Sequence, residues 1–307
     1  MKPIVHLGLC MAFASQALGH VCAPLKSPSL FVTTGAKLTP GNEDTTCPTT
    51  TSRPVTTALP PTNTAISTAA RTSTATISAQ TSLCTQYAYA SVDGYDLINN
   101  LWGLDDAESG SQCTYYYGPV PEGGVSWGTT WTWNGAPDKV KSFAYAGRQF
   151  TRRLLSNITG LPTTVSWSYN KEDIRGNVAY DFFTHPNASH VNSNGEYEVM
   201  IWLNRYDGLW PITLNNTGRP IEQVQLGGYD WDLYFGYNGA MKVYSFLSAS
   251  GSINDFTTDL MLFFKYLGRK HSFPLSKQYL LIDQFGTEAI TGQDATFHVS
   301  RFQAEVI

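Results

Sequence analysis

Apolar and polar residues alternate in short runs along most of this chain, and the runs are too short for helices. SWGTTWTWNG, TTVSWSYN, NVAYDFFT, YEVMIWL, WDLYFGYN, MKVYSFLS, QYLLIDQFG and ATFHVSRFQAEV each read as a strand, with Gly, Asn, Pro and Asp between them. Many short strands separated by turn residues predict an all-β sandwich or barrel. One segment has another period. Phe256, Leu260, Phe263, Phe264 and Leu267 fall at helical spacing, so DFTTDLMLFFKYL predicts a single amphipathic helix packed on the sandwich. This folded region runs from Cys84 to Ile307 and is long enough for one sizeable core.

The run GEYEVMIWL carries chemistry as well as pattern. On a strand, Tyr197, Val199, Ile201 and Leu203 share the face that suits a core, while Glu196, Glu198, Met200 and Trp202 share the other. A carboxylate in so apolar a run costs free energy unless it is paired or has a task. A flat ring beside it offers a platform for the apolar face of a sugar. Taken alone, the strand also admits a plainer reading, with Trp202 in the core and Glu198 at an exposed edge. A second isolated acid shifts the balance: LIDQFGTEAITG places Glu288 in another apolar strand. Two carboxylates on one sheet can flank a glycosidic bond, one attacking the anomeric carbon and the other protonating the leaving oxygen. A gap of roughly 5 Å between them means retention of configuration, and one of roughly 6.5–9.5 Å admits a water and means inversion.

Composition narrows the setting. Charged residues make up 14% of the 307, the formal net charge is -4, and no basic run occurs, which argues against nucleic acid and anionic membrane surfaces as partners. All eight tryptophans lie between Trp102 and Trp231, more than a core alone requires. Residues 1–19, with Lys2, a short apolar run and small residues, read as a secretory signal peptide. No later segment is long enough to span a bilayer, so the expected product is soluble and extracellular. Residues 20–83 read as a short plain segment followed by a Ser/Thr/Pro-rich disordered linker from Thr45 to Ser82. His20 would become the mature N-terminus, where a copper-chelating role rests on one residue and is read as chance. Cys10 falls in the signal, which leaves Cys22, Cys47, Cys84 and Cys113 with three possible pairings. Cys84–Cys113 with Cys22–Cys47 is favoured, because a composition break separates the two pairs. No zinc spacing occurs. Sequons stand at Asn157, Asn187 and Asn215.

The segments NNLWG, GSQC, VKSF, NVAYDFFT, GEYEVMIWL, GYNGAMKVYSF and QFGTEAITG, in this order and spacing, resemble glycoside hydrolase family 12, the fungal and bacterial endo-β-1,4-glucanases and xyloglucanases. The resemblance covers essentially all of 84–307 and none of the region before it. It implies a β-jelly-roll sandwich of two antiparallel sheets, an open cleft on the concave one, and a retaining mechanism. It implies no metal and no organic cofactor. Matched by motif, Glu198 corresponds to the nucleophile, Glu288 to the acid/base, and Asp181 to the aspartate that hydrogen-bonds the nucleophile. Asn100 and Trp102 match a sugar-binding pair, Met200 and Trp202 match residues lining the cleft, and Asn177 is placed with these substrate-binding residues. Cys84 and Cys113 match the family's disulfide. Glu196 falls where the motif varies and receives no catalytic duty.

These roles carry electrostatic expectations. The nucleophile should be held ionised by a lowered pKa, the acid should be raised, and Asp181 should be protonated or share a proton. Three positions depart from the family pattern. Gly128 replaces a histidine expected on the cleft side, Ile290 replaces a flat ring near the leaving group, and Trp210 adds an aromatic that is either a sugar platform or a loop plug. The implied substrate is plant cell-wall β-glucan and the implied state a monomer. Xyloglucan specificity stays open as the alternative, as does a non-catalytic carbohydrate-binding or host-sensed protein.

Overall fold

The structure is a computed structural model and describes residues 78–307. The signal peptide, most of the linker and the Cys22–Cys47 pairing lie outside the described residues. The folded chain starts slightly before Cys84: Thr81–Leu83 form a first strand, β1, so the end of the linker reading is already sheet.

Two sheets stack face to face. The outer sheet runs β1, β4 (Ser109–Pro119), β5 (Val125–Asn134), the second half of β15 (Gln284–Ala304), β7 (Pro162–Tyr169) and β13 (Asp255–Asp259). The inner sheet runs β2 (Ala88–Val92), β3 (Tyr95–Asn99), β6 (Ser142–Arg148), the first half of β15, β8 (Arg175–His185), β9 (Tyr197–Tyr206), β12 (Met241–Ser248), β11 (Tyr229–Asn238) and β10 (Glu222–Leu226), with the short β14 (Tyr279–Leu280) pairing the end of β8. Neighbours are antiparallel with one exception, since β12 runs parallel to β9. The expected sandwich of two antiparallel sheets is present, with this single parallel pair inside it. Long crossovers separate the two strands in sequence, and a long connection permits a parallel neighbour where a hairpin does not. β15 belongs to both sheets, pairing β6 and β8 up to Thr291 and β5 and β7 from Gly292 onward.

Strand alternation builds the core. Trp127, Trp131 and Trp133 of β5, with Trp167 of β7, point inward from the outer sheet; Val178, Tyr180 and Phe182 of β8 and Val199, Ile201 and Leu203 of β9 meet them from the inner one. The predicted two faces of β9 are therefore as read. The helix is shorter than predicted. Asp255–Asp259 is strand β13, and α1 spans only Met261–Lys270. Asp259 ends the strand by accepting the N–H groups of Leu161 at 2.7 Å and Met261 at 2.9 Å, and the helix starts two residues later. Phe256 shares the helical spacing by coincidence and buries from β13 instead. Phe263 and Phe264 anchor α1 against Phe246 and Phe182.

The disulfide Cys84–Cys113 is present and ties the segment after β1 to β4. Gly128 is not on the cleft side: it lies on β5 of the outer sheet, opposite Tyr115 and His298. A Cβ there would meet the Phe297 carbonyl at 2.6 Å and the Tyr117 ring at 3.4 Å, so the ring covers the place a larger side chain would take. Asn157, Asn187 and Asn215 are all exposed.

Candidate active site

The inner sheet presents its polar chemistry on the face away from the core. β8 alternates Val178, Tyr180 and Phe182 into the core, which sends Asn177, Ala179 and Asp181 to the other side. β9 does the same with Glu198, Met200 and Trp202, and β15 with Gln284, Gly286 and Glu288. Register then sets the layout. Asp181 stands opposite Met200 on β9 and Gln284 on β15. Glu198 lies to one side of it, opposite Phe183. Glu288 lies to the other, bonded to Asn177. Asp181 is therefore the middle member of a diagonal of three carboxyls.

Burial governs their protonation. Asp181 is 6% exposed and Glu198 9%. Burial first, then the charges of Glu198 and Glu288, holds Asp181 well above the carboxylate range. Burial, with the Glu288 carboxylate second, pushes Glu198 up to about 8. Burial pushes Glu288 up to about 7, and the Asn177 amide pulls the other way. The expected protonation of Asp181 and the raised acid fit. The expected lowering at Glu198 does not: no hydrogen bond reaches its Oε2, and none joins it to Asp181, whose Oδ1 is also unpartnered among the described residues. Without donors to favour the ion, desolvation and the like charge of Glu288 prevail.

The remaining predicted residues separate into different kinds. Trp102 is 49% exposed, a ring open to ligand. Asn100 is half-buried, and its carbonyl accepts the N–H of Phe143 at 2.9 Å. Met200 and Trp202 are buried instead of open. They form a cleft-side apolar floor with Ala179, Tyr234 and Leu247, and Leu209 packs over it. Asn177, placed with the substrate-binding residues, is fully buried and spends both ends of its amide on Glu288. Its Oδ1 accepts the Glu288 N–H at 3.0 Å, and its Nδ2 donates to Glu288 Oε2. It holds the glutamate at two points, one at each end of its amide. Ile290 is 1% exposed and presents no surface to the cleft. Trp210 is 45% exposed, with one face resting on Gly218. Glu196 is held by Gln278 at 2.8 Å and Lys242 at 3.6 Å, away from the cluster.

One structural residue escaped the reading. Asn99, beside the singled-out Asn100, is fully buried and binds Thr85, Gln112 and Thr114. Its signal was parity, because it continues the inward face of Tyr95 and Leu97.

A jelly-roll sandwich with three neighbouring carboxyls on the face of one sheet away from the core is the arrangement of a glycoside hydrolase. Residues 93–307 match the model of glycosyl hydrolase family 12, and the chain belongs to that family, whose relatives here are of the endoglucanase type. The chain is 45% identical to the xyloglucan-specific endo-beta-1,4-glucanase A of Emericella nidulans, over 74% of its own length and 92% of that protein's. It is 42% identical to the inactive glycoside hydrolase XLP1 of Phytophthora nicotianae, over 73% and 91%. Among solved structures it resembles the catalytic domain of Humicola grisea CEL12A with a soaked thio-cellotetraose, with a TM-score of 0.71 and 50% identity, covering 74% of this chain and 99% of that one.

Proposed function

We propose that the protein is a secreted, monomeric endo-β-1,4-glucanase that hydrolyses internal bonds of cell-wall β-glucan with retention. The observation that carries this is the placement of Glu198 and Glu288 on one face of the inner sheet, on the two strands that flank β8 and Asp181. Glu198 attacks the anomeric carbon. Glu288 gives its proton to the glycosidic oxygen as that bond breaks, and a glycosyl ester remains on Glu198. Esterification removes the Glu198 charge, which lets Glu288 remain ionised, and its carboxylate takes the proton from the attacking water. That water attacks the same carbon, releasing the sugar and restoring both groups. Asp181, held protonated, can donate toward Glu198 without adding charge. Trp102 offers a ring for a glucosyl unit, and Trp202 floors the cleft from beneath. An open cleft cuts within chains and not at their ends.

Xyloglucan specificity is the second reading, favoured by the 45% identity to a relative of that name. Reducing-sugar release by residues 78–307 on xyloglucan and mixed-linkage β-glucan, with Glu198→Ala as control, separates the two. Proton NMR of the first product reads the anomer: an α-anomer first would overturn retention. Silence of the folded protein on both polymers would favour the non-catalytic reading.

A further inference from the structure

A second hollow, of about 360 Å³, opens on the cleft face of β2, β3, β6 and β15, with Tyr89, Asp96, Gln284, Arg152 and Asn192 among its walls. It begins at the carboxyl cluster, because Gln284 is the register partner of Asp181 on one side and of Gly147 on the other. The volume suits a single sugar unit.

Arg152 is the unusual wall residue. Its Nη1 donates to the carbonyls of Ala188 and His190, both at 2.7 Å, which pins the guanidinium to the β8–β9 connection. No carboxylate is ion-paired with it among the described residues, and its Nε and Nη2 have no protein acceptor there. Burial, with no acid to offset it, lowers its pKa. Two acids line the hollow: the Oδ1 of Asp96 accepts the Tyr89 hydroxyl at 2.8 Å and the Gln149 amide at 2.6 Å, and Asp283 is buried at its base, where burial favours its neutral form. Arg148, also a wall residue, donates to the Gly94 carbonyl at 2.8 Å, lies over the Tyr95 ring and acts on Asp283, whose pKa it pulls down. A fixed guanidinium that is partly desolvated and unpaired, with two N–H directions left, is matched by a carboxylate that accepts from both.

We propose that this hollow is a subsite for an acidic sugar, a uronosyl substituent carried by the glucan chain, with Arg152 as its anchor. The inference rests on the glucanase reading for the identity of the main chain, while the anion preference rests on Arg152 alone. A neutral substituent gives the guanidinium no counter-charge.

Binding tests it without hydrolysis. Methyl β-glucuronide and methyl β-glucoside are titrated by NMR into Glu288→Gln and into Glu288→Gln/Arg152→Gln, and Arg152→Lys keeps the charge while removing the fork. The glucuronide should bind about tenfold more tightly than the glucoside, and Arg152→Gln should abolish the difference. In the active enzyme, the ratio of kcat/KM on glucuronosyl-branched to neutral-branched β-1,4-glucan should fall about tenfold with Arg152→Gln. Thermal melts establish that each variant is folded. Equal binding of the two glycosides, or a preference that survives Arg152→Gln in a folded protein, overturns the proposal. Glucuronide binding in a protein that cuts neither polymer supports the subsite and sinks the glucanase reading instead.

Discussion

Asn177 grips Glu288 at two points, taking its backbone N–H on Oδ1 and donating from Nδ2 to its carboxyl. One side chain thus fixes both the place of the acid and its charge. Removing it takes away a donor that favours the ionised form, so the Glu288 pKa should rise further. For Asn177→Ala, the alkaline limb of the kcat/KM profile should move to higher pH, and kcat should fall roughly 10- to 100-fold from lost orientation. A pH–rate series decides it: a fall in kcat with an unmoved limb would mean that Asn177 orients the acid without tuning it.

Stability should run against pH at the same cluster. Glu198 rises from an ordinary 4.5 to about 8 in the folded protein. Its contribution is fully present below about 4.5 and is lost as pH climbs toward 8, because the fold resists ionisation there. Asp283 adds the same sign. It is 2% exposed, both of its oxygens lack partners, and burial carries it from 3.8 to about 7 against the pull of Arg148. The midpoint of thermal unfolding should therefore fall between pH 5 and 8, by roughly the scale expected for raised buried carboxyls. Glu198→Gln should flatten that fall and gain on the order of 1–2 kcal/mol at pH 8. A Glu198→Gln variant less stable than the parent at pH 8 would refute this account.

The two tryptophans of the cleft should fail differently. Trp102→Ala removes an exposed ring and should raise KM for the polymer roughly 3- to 10-fold, with little change in melting. Trp202 is 4% exposed within the apolar floor. Its replacement by alanine should cost about 3–5 kcal/mol in denaturant unfolding.

Lys141 is fully buried and, among the described residues, ion-paired with no acid, although Asp106, Asp138 and Glu108 act on it from further off. Its ammonium instead donates to the carbonyls of Gly135 at 2.7 Å, Ala136 at 2.5 Å and Lys139 at 2.9 Å, closing the connection between β5 and β6. Lys141→Met should leave those carbonyls unpaired and cost about 2–4 kcal/mol, read from chemical denaturation. A neutral result would mean that water replaces the ammonium freely.

What was legible in the sequence was parity, and what was not was depth and partner. The alternation in GEYEVMIWL placed Val199 and Ile201 in the core and Glu198 opposite, because a strand has only two faces. The same logic could not say which sheet a strand joins, and so Gly128 was read onto the wrong side of the sandwich. Spacing of apolar residues also cannot separate a helix from a strand that bends into one. Phe256 and Leu260 sit four apart across such a bend, and the carboxylate of Asp259 makes it. The role of Asn177 was hidden for another reason. Its partner is 111 positions away in sequence, and only the register of β15 against β8 brings them together.

β15 carries a consequence for how the enzyme comes into being. A chain is synthesised from its N-terminus, and β15 is the last strand of the described domain to be made. Until it emerges, β5 and β7 have no strand between them, and neither do β6 and β8, so both sheets stand open at their centres. Glu288, the proposed proton donor, arrives on the same piece that closes them. On the proposed roles, a nascent chain lacking β15 holds Glu198 without Glu288 and has no proton donor for the reaction. A protease that clips this strand off removes fold and activity in one stroke, and leaves no half-working enzyme behind.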